Sequence, residues 1–323
     1  MKKFTAAVIA LTLAVLSVFM LSACGKSNNA IKTDDKTTKT DDENTKTDDK
    51  ASELDAEALK SYLSEGLASV FNYSNYHITT KTETSVSSDE PDYTGAGMNN
   101  LTVDAIFKNW KTDDYVIRYI ISYDMPDVTN SIAVIEPVKN MQVILTKNGY
   151  YIGQEPYDKF SFTELSEGSS ISMTEQMSTD PSFVYENEIK NGLLEYAKVT
   201  EHEDGSKTIE CRLGKDEVMK VCKSGVDQTL DILNLSDGEV AETSALYIFD
   251  LTKDGIISSM ECKTSLKVLY KVDDNTYHCE YNDSFLFTVT EIGADFNIDI
   301  PDESKILPID EYWQAINGTA SDY

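Results

Sequence analysis

The chain of 323 residues carries 28 basic and 56 acidic side chains, a formal charge of −28. A body this acidic repels polyanions, which excludes a nucleic-acid partner and direct adhesion to anionic lipid headgroups. With 41% hydrophobic residues and 18 tyrosines it can bury a proper core, as one large domain or two closely joined halves.

The N-terminus runs from Lys2-Lys3 through an apolar stretch, Ala6 to Met20, to Leu21-Ser22-Ala23-Cys24. A short cationic head, a hydrophobic segment too short to span a bilayer comfortably, and small residues at a cut site predict a secretory signal peptide. A cysteine directly after Leu-Ser-Ala resembles the signal of bacterial lipoproteins. That resemblance implies removal of residues 1–23 and a diacylglycerol thioether on Cys24. The protein is then expected on the extracytoplasmic face of the cell membrane, held by lipid such as palmitate. One acyl chain holds weakly, and two or more hold stably.

Residues 24–52 hold the lipidated cysteine and a polar tether. Its repeat, Lys32-Thr33-Asp34-Asp35, Lys39-Thr40-Asp41-Asp42 and Lys46-Thr47-Asp48-Asp49, has a seven-residue period. No repeated position is apolar, so no coiled-coil seam can form, and the composition predicts a disordered linker. As a flexible coil it would reach roughly 30 Å. Residues 25–52 contain six lysines and seven acids, so the negative charge belongs to residues 53–323.

The body is expected to open with a helix. Ser52 is its N-cap, and Leu54, Ala58, Tyr62, Leu63, Leu67, Val70 and Phe71 recur at helical spacing. Strands follow. Leu101, Val103, Ala105 and Phe107 alternate with polar residues, Asp113-Asp114 turns, and 115–123 is apolar on nearly both faces. Residues 132–138 and 141–145 read as strands, and Asn148-Gly149 as a tight turn into Tyr150-Tyr151-Ile152. Residues 155–182 read as a long surface loop, followed by a helix over 183–191. Residues 193–201 and 207–213 are expected to pair across Glu203-Asp204-Gly205-Ser206. A second helix is expected over 216–233, with Val218, Cys222, Val226, Thr229, Leu230 and Leu233 as its apolar stripe. Three long strands follow, 245–251, 256–272 and 276–291, turning at Lys253-Asp254-Gly255 and Asp273-Asp274-Asn275. An extended tail over 296–301 and a short helix over 310–316 end the chain. Hairpins dominate and βαβ alternation is missing. The expected class is α+β: a large curved antiparallel sheet, half-barrel-like, with helices packed on its concave face.

Few residues suggest chemistry. Asp250, Thr252, Asp254 and Glu261, with Gly255 at the bend, fit a calcium loop apart from the threonine. Such a loop needs a helical flank, whereas these flanks read as strands, so a hairpin turn accounts for the same residues. Cys211, Cys222, Cys262 and Cys279 show no CxxC spacing, which disfavours zinc. An exported chain could bridge four cysteines in three ways, with Cys211–Cys222 the first pair to consider; buried thiols are the other reading. A turn at 273–275 would set Cys262 opposite Leu286, out of reach of Cys279. His77, His202 and His278 are scattered, and no nucleophile elbow, P-loop or dinucleotide fingerprint occurs. No catalytic set and no cofactor are expected. What remains is an aromatic and apolar surplus on strands: Tyr115, Ile117, Tyr119, Tyr247, Phe249, Tyr277, Tyr281 and Phe287. These residues would pack a core or line an apolar ligand cavity.

The order of anchor, polar tether, amphipathic helix, strand meander, mid-chain helix and second meander resembles the lipoprotein carriers of the LolA/LppX-like superfamily. Asp250-Leu-Thr-Lys-Asp-Gly-Ile-Ile resembles their strand-turn-strand block, and Ile298-Asp-Ile-Pro301 their closing strand. The likeness covers residues 53–303. It implies a bent, unclosed sheet that holds acyl chains or other apolar ligands between sheet and helices, without catalysis. The irregular 155–182 segment departs from that layout. The leading expectation is a membrane-anchored protein that binds a hydrophobic or lipid-like molecule. A cell-envelope interaction or sensor protein with a filled core is the alternative, and an envelope enzyme the third.

Overall fold

The computed structural model describes residues 56–124, 140–164 and 192–319, apart from residues 71, 92, 94–96, 111 and 156. The signal peptide, Cys24, the tether, the strand expected over 132–138 and the helix expected over 183–191 all lie outside the described residues.

One open sheet of twelve strands organises everything else. The strands are β1 (Tyr76–Ser88), β2 (Gly97–Lys108), β3 (Val116–Asp124), β4 (Met141–Thr146), β5 (Gly149–Gln154), β6 (Tyr157–Glu164), β7 (Ala197–Glu201), β8 (Lys207–Leu213), β9 (Glu239–Leu251), β10 (Ile257–Val272), β11 (Asn275–Thr290) and β12 (Ile306–Leu307). Their spatial order is β12-β6-β5-β4-β3-β2-β1-β11-β10-β9-β8-β7. The first meander spreads one way from β1 and the last one spreads the other way from β11. Every pairing is antiparallel except β12 on β6.

Side chains on one face line up in rows, because strand partners sit directly opposite and alternate residues point the same way. One row runs Val199, Ile209, Phe249, Met260, Phe287, Thr80, Val103, Ile121 across eight strands. All of these are buried except Val103, which is half-buried. Burial of such apolar surface is the main stabilising term.

Helices are few. Helix α1 (Ala56–Val70) presents Leu59, Leu63, Gly66 and Val70 inward, at spacings of four, three and four. Tyr62, expected on that stripe, is instead exposed, with Lys207 Nζ 5.5 Å from its ring centre. The helix lies on β10 and on the 3-10 turn Leu193–Tyr196. The second predicted helix is two: α2 (Lys215–Val221) and α3 (Lys223–Ile232), broken at Cys222. The Cys222 N–H still donates to Val218 O, but its φ of −115° turns the chain out of the helical path. Ser224-Gly225, poor helix formers, follow the break. Helix α4 (Ile309–Thr319) packs on β6.

Four further expectations change. Residues 157–164 are not loop but strand β6. Ring contacts hold it to β5: a Cβ on Gly149 or Gly153 would strike the rings of Phe162 and Phe160. The Asp273-Asp274-Asn275 turn is one residue shorter, with Val272 opposite Asn275 and Asp273 at φ 55°. That two-residue turn matches the strand twist. It moves Cys262 from opposite Leu286 to opposite buried Phe285. Cys262 and Cys279 still lie well apart along their strands, and all four cysteines stand as thiols, Cys211–Cys222 included. Finally, 296–301 is not a closing strand. The tail runs past the strand ends, where Asn75 Nδ2 donates to Ala294 O, and closes as β12 beside β6.

At Gly66 helix α1 approaches the sheet closely. A Cβ there would meet Gly255 O at 2.8 Å and Ile257 Cγ1 at 3.0 Å. Gly66→Ala at an open helical site would gain about 1 kcal/mol from propensity. Here the clash should outweigh that gain and give a net loss of about 1–2 kcal/mol in urea unfolding. A stabilised variant would contradict this docking of α1.

Candidate ligand cleft

The cleft forms where the α2–α3 pair crosses the sheet. Helix α2 lies directly on β8 and β9, and α3 continues from it with Val226 and Leu230 buried in the core. Its roof is Val218, Cys222, Gly225, Val226 and Thr229. Its floor comes from three adjacent strands: Thr243 to Ala245 and Tyr247 of β9, Thr264 to Leu266 of β10, and Tyr281 of β11. The lining is mostly apolar. Its polar groups are largely satisfied: Thr243 Oγ1 donates to Ser265 O at 2.8 Å, and Thr229 Oγ1 to Gly225 O at 3.0 Å. Cys222 Sγ stands 4.0 Å from Tyr247 Oη. The cavity is about 30 Å³. That admits a water or two and falls far below the several hundred Å³ a drug-sized ligand fills.

One strand position beyond the cleft lies a buried acid. Asp283 of β11 is 7% exposed and sits opposite Thr264 on one side and Thr84 on the other. Thr84 Oγ1 donates to its Oδ1 at 2.6 Å. Burial pushes the Asp283 carboxyl up to about 6, against the Thr84 bond that lowers it. Burial also raises the Tyr281 phenol, and the Asp283 charge adds to that rise. Thr264 Oγ1 is buried and has no hydrogen-bond partner among the described residues.

Of the eight aromatic and apolar candidates, the structure brings Tyr247 and Tyr281 to the cleft. Phe249 and Phe287 lie wholly within the core. Tyr277 packs at a tilt against Tyr270, ring centres 6.0 Å apart. Ile117 and Tyr119 are buried in the other half of the sheet, Tyr119 edge-on to Phe107, and Tyr115 packs on Trp110. Val218, Cys222, Val226 and Thr229, read from sequence as a helix stripe, prove to be the roof. Asp283 and Thr264 were not singled out. The signal was present in phase: Asp283 interrupts the inward series Cys279, Tyr281, Phe285, Phe287, Val289.

The loop at Asp250 is a strand hairpin. Asp250 accepts from Thr208 Oγ1 at 2.8 Å and Ser259 Oγ at 2.6 Å, so its oxygens serve the sheet. Thr252 N–H donates to Ile256 O, and Gly255 takes φ 78°. Asp254 is exposed in the turn, and Glu261, up on β10, pairs with Lys263 at 2.6 Å. The histidines stay separate. His77 bridges Asp104 at 2.7 Å and Glu291 at 3.2 Å, His202 meets Thr208, and His278 holds Asp89. Among the described residues no helix is long and apolar enough to cross a membrane.

A crystal structure of a LolA superfamily protein from Nitrosomonas europaea matches at 9% identity and a TM-score of 0.21. The match covers 76% of this chain and 96% of that one. No family model and no curated protein matches the chain.

The Asp283 carboxyl has a consequence for stability. Its folded value, about 6, lies above the unfolded carboxylate value near 4. Between those pH values the fold keeps a proton that the unfolded chain releases, so stability falls as pH rises and stays lowered above 6. Two units correspond to about 3 kcal/mol as an upper bound. Asp283→Asn should match wild type near pH 4 and exceed it by about 1–3 kcal/mol at pH 7 in urea titrations. Parallel pH profiles for the two proteins would contradict this.

Proposed function

We propose that this is a lipid-anchored extracytoplasmic protein that holds a hydrophobic or lipid-like molecule between its sheet and the α2–α3 pair, without catalysis. In this reading the sheet curves around the ligand, with the helices on its concave side. Cys24 ties the chain to the membrane, and residues 25–52 space the body from it. The observation that carries the reading is the apolar cleft beneath α3, a helix separated from α2 by the break at Cys222. An acyl chain enters only if α3 swings outward about that break, since the closed cavity is about 30 Å³. Burial of apolar ligand surface then drives binding without any reactive group. A non-catalytic role is supported by the histidines, whose described partners belong to separate parts of the sheet.

A second reading has an observation of its own. The small cavity also suits an envelope interaction or sensor protein whose core is already filled.

Native mass spectrometry of the body, residues 53–323, purified from its host separates the two. A bound mass in the lipid range is expected, and Val226→Trp, which fills the roof, should reduce its occupancy at least tenfold. Empty spectra with no uptake of a fluorescent fatty acid or fatty alcohol would leave the filled-core reading. For the anchor, Cys24→Ser should abolish incorporation of labelled palmitate, and retained label would overturn the Cys24 assignment.

A further inference from the structure

We infer that Asp283 and Thr264 form the polar end of the cleft and select an amphiphile whose head is an ammonium group. The inference rests on the ligand-cleft reading above and names the ligand class of that site. Ala245, Thr264, Asp283 and Thr84 are direct neighbours in one row across β9, β10, β11 and β1, all on the same face. The first two line the cleft. The carboxylate is therefore one strand spacing, about 5 Å, from the cleft wall. Tyr281, two residues back on the same face, closes the other side.

The donors and acceptors at this end are incomplete. Asp283 receives one hydrogen bond among the described residues, from Thr84 to Oδ1, so Oδ2 can accept from a ligand. Thr264 Oγ1 is buried without a partner among the described residues. A buried carboxylate with spare acceptor capacity is costly, as is an unmade hydroxyl bond, and apolar residues there would cost less. An ammonium supplies three donors. Two of them reach Asp283 Oδ2 and Thr264 Oγ1, forming a charge-assisted bond in a low-dielectric setting. Its alkyl body then lies along Ala245, Leu266, Val226 and Tyr247. A carboxylate head in the same place would face Asp283 inside a chain of charge −28. The site thus discriminates by repulsion as well as attraction.

The test is calorimetric titration of the chain without its signal peptide and lipidated cysteine, residues 25–323, at pH 7.5 with octylamine, octanol and octanoate. Octylamine should bind at least tenfold tighter than octanoate, with octanol between them. In Asp283→Asn that order should collapse to within about threefold, while octanol still binds. Equal binding of octylamine and octanoate to wild type, or an amine preference that survives in Asp283→Asn, overturns the role of Asp283 and leaves the cleft standing. Binding of none of the three overturns the cleft itself.

Discussion

The ladder between β1 and β11 is the constraint on which the remaining structure depends. It joins residues 76–88 to residues 275–290, and among the described strands it alone connects the two meanders. Either meander without the other would expose an edge strand and half of each buried row. The ladder's register decides what meets inside: Thr80 opposes Phe287, Thr82 opposes Phe285, and Thr84 opposes Asp283. A slip by one residue would turn Phe285 and Phe287 outward and bring Ser284 and Leu286 in. Closing so long a loop is entropically costly before any contact forms, so this pairing also governs how slowly the fold assembles.

The same ladder creates the site's chemistry. β1 meets β11 with Thr80, Thr82 and Thr84, opposite Phe287, Phe285 and Asp283. Those short, hydroxylated side chains leave room for an acid at position 283 and supply its one described hydrogen bond. The floor of the cleft lies on the far side of that acid, with Thr264 beside it and apolar Ala245 next in the row. Sheet and helices therefore present one continuous interior whose polarity changes over a single strand spacing. Helix α3 roofs it with Gly225, Val226 and Thr229. It is held at its end by Tyr93 Oη, which donates to Leu233 O at 3.4 Å, and at its start by the joint at Cys222.

Much of the fold was legible in the sequence, and the gaps have physical causes. The long β9–β11 strands were plain because large apolar residues recur at every second position between clear turn signals. Strand β1 was missed because its inward residues after Ile78 are Thr80 and Thr82, whose buried role a hydropathy pattern does not reveal. Strand β6 was hidden because its rings pack on glycines of β5 and only pairing makes sense of them. The break at Cys222 falls inside an unbroken apolar stripe, so periodicity carried the helix through it. The cleft could not be read at all as a list of aromatics: Tyr119 and Tyr247 have similar sequence settings, and only topology puts one beneath the helical pair. Asp283 was readable by phase alone, as a charge on an otherwise apolar strand face.

Intermolecular nuclear Overhauser effects, measured on residues 25–323 with a bound alkyl ligand, address the cleft directly. Contacts from the alkyl protons to the Tyr247 and Tyr281 rings and to the Val226 and Leu266 methyls are expected, with Val218 beside them. Ligand contacts confined to β3, around Tyr115 and Ile117, or to the exposed side chains of the sheet's other face would place the ligand elsewhere and contradict a site between the sheet and the α2–α3 pair.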